Sequence, residues 1–169
     1  MLDIKKILEK NLENLPPETR RELKRYVVQL DRTQKYTAIR KDFLTFVKHM
    51  WPDFIEGYHH KIVAEKFNKL KARKIKRLIV NMPPRHTKSE FASFLLPAWM
   101  IGNNPKLKII QATHTAELAV RFGRKAKHLM DTEEYKEVFP TRLMEDSKAA
   151  VAGKQNKEAS ILPLGLKEP

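Results

Sequence analysis

The chain has 169 residues, enough for one domain with a sizeable core, and a hydrophobic content of 41%, ordinary for a globular protein. It carries 34 Lys and Arg against 20 Asp and Glu, a formal net charge of +14, and no cysteine. These figures exclude a disulfide framework and thiolate metal sites, fit a reducing cytoplasm, and point to a polyanionic partner, nucleic acid first, with a merely basic surface as the plain alternative.

No apolar run approaches the ~20 residues that span a bilayer, so no membrane role is expected. Nothing in the opening Met1–Lys10 stretch has the apolar centre of a secretion signal.

In chain order, residues 2–14 read as a short amphipathic helix, with Leu2, Ile4, Ile7, Leu8 and Leu12 at helical spacing. Pro16 and Pro17 end it and open a second, heavily charged helix to about Asp31, because proline is tolerated in a first turn. A third helical segment, Arg40–Met50, is broken by Trp51-Pro-Asp-Phe54. Gly57 then precedes a helix that begins at Tyr58-His59-His60 and runs to about Ala72, followed by a basic run through Arg77.

The texture changes at Arg77–Met82, a short run rich in β-branched residues, which predicts a buried parallel strand. Pro83–Thr87 reads as a loop and Lys88–Ile101 as a helix. Leu107–Ala112 predicts a second strand, and Thr113 or Thr115 caps a helix over Ala116–Met130. This order predicts an α/β fold: an incomplete parallel sheet of the P-loop NTPase type, preceded by a helical N-terminal region. The expected organisation is a helical region over 1–50, a core over 51–146, and a divergent tail over 147–169 that adds a strand or hangs free.

A strand, a loop ending in Lys-Ser and then a helix is the context of a phosphate-binding loop. Amides at the helix start face the phosphates, a lysine reaches the β- and γ-phosphates, and the next hydroxyl ligates Mg²⁺. Lys88 and Ser89 fit the last two roles. The pattern G-x-x-x-x-G-K-S/T is not met, since its glycines fall at Met82 and Thr87. The bland alternative is a surface Lys-Ser at a helix start.

Asn81-Met-Pro-Pro-Arg-His-Thr-Lys-Ser-Glu90 resembles the deviant Walker A loop of phage terminase large subunits, which often reads Pro-Pro-Arg-His-Gly-Lys-Ser. Thr87 stands where glycine is common. Trp51-Pro-Asp-Phe54, Gly57-Tyr-His-His60, Ile75-Lys-Arg-Leu-Ile-Val80, and Ala112-Thr-His-Thr-Ala-Glu-Leu-Ala119 followed by Phe122-Gly123 are similar to that family in the same order. The likeness covers roughly Asp42–Asp146.

The resemblance implies an ATP-binding part of a DNA-packaging motor, with ATP and Mg²⁺ as cofactors. Pro84, Arg85, His86, Thr87, Lys88 and Ser89 would form the phosphate loop. Arg85 and Lys88 would act on the transferring phosphoryl group, and Ser89 would hold Mg²⁺. Tyr58, His59 and His60 would lie near the adenine, or else form a helix-cap cluster. Adjacent His59 and His60 point about 100° apart on a helix and make no metal pair. Thr113-His114-Thr115 resembles a coupling or DNA-facing segment. Arg121, Arg124, Lys125 and Lys127 face either DNA phosphates or solvent. The implied partners are double-stranded DNA, a portal protein, a small terminase subunit and further copies in a ring, in the cytoplasm of a bacterial host.

No apolar strand ending in paired acids follows residue 146, so a Walker B aspartate and the family's nuclease carboxylates are not found. Codons for Glu158–Leu164 can be chosen so that another frame reads Gly-Glu-Tyr-Phe-Ala, as such terminases often continue; this shows compatibility only. The chain is therefore expected to be a frameshifted or prematurely ended piece with negligible hydrolysis alone. The competing classes are a helicase-like ATPase and a basic nucleic-acid-binding module without nucleotide chemistry.

Overall fold

In the computed structural model, residues 16–140 and 159–161 are described. The expected helix over 2–14, the end of the expected core at 141–146, and the expected tail apart from 159–161 lie outside them. The chain divides into a unit Met1–Ala38 and a unit Ile39–Pro169.

Helix α1 spans Pro17–Lys41, with Glu18 in its first turn and Arg40 and Lys41 in its last, the favourable arrangement for the helix dipole. It runs well past Asp31 because no glycine or proline interrupts residues 32–41. Over residues 17–38 its surface is largely solvated, with Tyr26, Val28 and Leu30 all exposed.

The second unit is built on aromatic packing. Helix α2 (Phe43–Met50) starts where the Asp42 carboxylate accepts the Thr45 N–H. Asn68, on α3 (Tyr58–Lys71), donates to the same carboxylate, and its own side-chain oxygen accepts the Phe43 N–H. The cap of one helix is thus clamped by its neighbour. Phe43 is fully buried and meets Phe67, Phe91 and Trp99 edge-on at centroid separations of 5.1, 5.4 and 5.5 Å. Such tilted contacts suit the ring quadrupoles.

The next helical stretch is continuous from Lys88 to Asn103 but changes its winding. Helix α4 (Lys88–Glu90) passes into a π-helical turn at Phe91–Leu95 and then into α5 (Leu96–Asn103). The wide turn closes with the Leu96 N–H on the Phe91 carbonyl, directly before Pro97. Proline brings no N–H and its ring crowds the carbonyl four residues back, so a locally wider turn accommodates it. Trp99, buried at the centre, donates from its indole N–H to the Ile39 carbonyl at 3.0 Å.

Thr115 caps α6 (Ala116–Asp131) through the Leu118 N–H, and Thr132 caps α7 (Glu133–Val138) through the Tyr135 N–H. Tyr135, Val138 and Phe139 are fully buried, and Tyr135 and Phe139 pack edge-on against Phe46. Helix α7 is not anticipated in the sequence reading.

The expected α/β parallel sheet is corrected by this architecture. The described residues are mostly helical, and their only strands are β1 (Ile110–Ala112) and β2 (Ala159–Ile161), paired antiparallel with Ile110 opposite Ile161. Residues 77–82, expected to be the first buried parallel strand, form no strand. A strand exists only where a neighbour accepts its N–H groups, and none of the described residues lies alongside to do so. Burial follows a strand-like alternation there, with Leu78, Val80 and Met82 half-buried and Ile79 85% exposed, but the ladder is missing.

Candidate functional site

The loop between Met82 and Lys88 is held in an unusual backbone state. Arg85 has φ 66° and Thr87 φ 58°, both in the left-handed region. A non-glycine residue there costs roughly 1–2 kcal/mol, and a β-branched one is the least suited. Thr87 is the N-cap of the helical stretch, and its carbonyl takes the first helical hydrogen bond, from the Phe91 N–H at 2.9 Å. The amides of Lys88, Ser89 and Glu90 precede that bond and have no acceptor within the helix. They form the positive end of the helix dipole at the loop's edge.

Three side chains hold this geometry. The Lys88 ammonium folds back and donates to the Met82 carbonyl at 3.3 Å, spanning the loop from end to start. His86 donates from Nδ1 to the Pro84 carbonyl at 2.9 Å. The Thr87 hydroxyl donates to the His86 carbonyl at 2.7 Å and receives a hydrogen bond from His60 Nε2 at 2.8 Å.

His60 comes from α3. Its Nδ1 accepts the Gly57 N–H at 2.8 Å, which assigns the proton to Nε2 and makes the ring a donor toward Thr87. Histidine here fills the place that Glu or Gln takes in a capping box, three residues after the N-cap. The ring is 6% exposed and lies between Phe54 and Phe91 at 4.8 and 5.1 Å. Burial first, then the neighbouring His59, lowers its pKa below the ordinary 6.5; Glu56 opposes and His86 adds to the shift. The neutral ring that this bonding pattern requires is therefore the favoured form.

The predicted site residues divide accordingly. His59, His60, His86 and Thr87 meet, with the His59 ring tilted against His60 at a centroid separation of 3.8 Å and edge-on to His86 at 5.6 Å. Pro84, Arg85, Lys88 and Ser89 are exposed on the loop and the first turn. Tyr58 is 80% exposed at the start of α3 and does not join the cluster. His59 borders a 330 Å³ cavity with Leu78, Val80 and Met82, and its Nε2 is buried without a hydrogen-bond partner. Lys88 and Ser89 border a second cavity of 390 Å³, floored by Phe67, Leu78, Val80 and Leu96. Glu90 is missed in the sequence reading; its carboxylate receives both bonds of Lys125, each 3.0 Å, and ties the loop's helix to α6. Lys125 is thereby engaged, while Arg121, Arg124 and Lys127 on the same helix are exposed. Thr113 donates to the Thr115 carbonyl at 2.6 Å, so it shapes the turn before α6 while Thr115 provides the cap.

Arg85, Lys88 and the free amides suit an anionic ligand. Ser89 is exposed in the first turn, directly after Lys88. Among the described residues no group of three or more His, Asp or Glu is arranged to hold a metal by itself. No described helix is long and apolar enough to cross a membrane.

Compared with known proteins, the chain matches no family model, no curated protein and no solved structure at a significant level.

Proposed function

We propose that the chain is the nucleotide-binding part of a viral DNA-packaging terminase large subunit, and that Met82–Ser89 takes the phosphates of ATP. One observation supports this above the rest. Two non-glycine residues, Arg85 and Thr87, are held with positive φ immediately before a helix whose first amides have no acceptor within the helix. Strain of this kind concentrates at ligand-binding loops. The proposal attaches to this loop and helix, not to a parallel sheet.

In this reading ATP supplies the phosphoryl group and Mg²⁺ the charge that holds it. Lys88 would leave the Met82 carbonyl for the β- and γ-phosphates, Ser89 would offer its hydroxyl to the metal, and Arg85 would neutralise charge on the γ-phosphate. The net charge of +14 supports double-stranded DNA as the polymer served. The full protein would couple hydrolysis to DNA translocation into a capsid, in a ring with a portal protein and a small terminase subunit, in the cytoplasm of a bacterial host.

The test is melting with and without Mg²⁺-ATP, alongside Lys88→Ala. A shift that the variant loses supports the reading. Salt-sensitive DNA binding with no ATP-dependent shift would favour a basic nucleic-acid-binding module instead.

A further inference from the structure

We propose that His60 is a positioning residue for the phosphate loop, holding Thr87 in the left-handed conformation that a glycine would adopt unaided. The inference rests on the loop reading above and adds to it a division of labour between the two adjacent histidines.

Thr87 is mismatched to its own backbone conformation. Its φ of 58° disfavours a β-branched residue, so the conformation persists only if its surroundings hold it. The hydroxyl, an atom glycine lacks, makes the holding bonds: it receives the His60 Nε2 proton at 2.8 Å and donates to the His86 carbonyl at 2.7 Å. His60 is a firm anchor because its other nitrogen is fixed by the Gly57 N–H and its ring is 6% exposed. Both ring nitrogens are thus committed within the protein, and His60 has none left for a nucleotide base. His59, with a partnerless Nε2 beside the 330 Å³ cavity, keeps that capacity. The link joins the N-terminus of α3 to the loop across 27 residues.

The experiment measures ATP affinity by titration calorimetry and melting temperature without ATP for the wild type and five variants. These are His60→Ala, Thr87→Val, Thr87→Ser, Thr87→Gly and the double variant His60→Ala/Thr87→Gly. Thr87→Val removes the hydroxyl while leaving His60 in place, so the test survives if His60→Ala fails to fold. We expect His60→Ala and Thr87→Val each to weaken ATP binding about tenfold, the scale of one lost buried hydrogen bond. Thr87→Ser should bind like the wild type. Thr87→Gly should also bind, and the double variant should match Thr87→Gly, because glycine needs no anchor. The proposal is overturned if His60→Ala binds normally, or if the double variant remains as weak as His60→Ala. If the wild type binds no ATP, the loop reading fails. The melting temperatures then decide the anchor: non-additive losses at His60 and Thr87 support it, and additive ones overturn it.

Discussion

The Tyr135 hydroxyl lies so close to Gly102 that a Cβ built on the glycine would stand 2.5 Å from the phenolic oxygen. Phe139 closes the same gap, with ring carbons at 2.6 and 2.7 Å. Both aromatic residues are fully buried, so neither can swing aside. Gly102→Ala should therefore destabilise the fold by about 1–3 kcal/mol through overpacking. Tyr135→Phe, which loses the 2.7 Å hydrogen bond to the Ala98 carbonyl, should cost about 1 kcal/mol. Urea denaturation measures both, and an unchanged midpoint for Gly102→Ala would contradict this packing.

Asp42 joins two helices and should make the fold acid-sensitive. Burial works to raise its pKa, but hydrogen bonds from the Thr45 side chain and amide and from Asn68, with the charge of Lys48, outweigh it and hold the carboxyl below 3.8. A carboxyl with a depressed folded pKa stabilises above its unfolded value, and the contribution is lost as pH falls through the folded pKa. Asp42→Ala should cost about 1–2 kcal/mol at neutral pH and flatten the loss of stability below pH ~4. Chemical denaturation between neutral pH and acid checks both.

Lys71 predicts a slope of the same sign at alkaline pH. Its ammonium lies 4.1 Å from the Trp99 ring centre and donates to Asn103 and to the Arg40 carbonyl. Burial lowers its pKa from 10.5 to about 8. Between those values the folded chain gives up the proton first, so the unfolded chain binds more protons and stability rises with pH. Lys71→Met should remove that rise. At neutral pH it should change stability by only about 1 kcal/mol, because relief of a buried charge offsets the lost hydrogen bonds. Melting curves from pH 7 to 10.5 on both proteins would show it, and a rise that survives in Lys71→Met would assign it elsewhere.

The helices were legible in the sequence wherever local chemistry sets a boundary. Thr115 before the apolar face of Ala119, Phe122 and Ala126 announces α6, and Gly57 announces α3. Helix α7 has the same kind of signal, Thr132 followed by Glu133 and Glu134, in a stretch where no helix is expected. The sheet was not legible, because β-branched composition at 77–82 states a preference that only a neighbouring strand can realise. The loop's basic residues were visible, whereas the partner of Thr87 was not. A hydrogen bond across 27 residues leaves no local pattern, and only the histidine three places after Gly57 hinted that its ring was engaged.

The central claim is that phosphates sit on the loop, and amide chemical-shift mapping on ¹⁵N-labelled protein during Mg²⁺-ATP addition tests it most directly. The account predicts the largest shifts at the amides of residues 85–90, with Lys88, Ser89 and Glu90 foremost, and their loss in Lys88→Ala. No shift in that segment, or shifts confined to the exposed basic face of α6 at Arg121, Arg124 and Lys127, would contradict it.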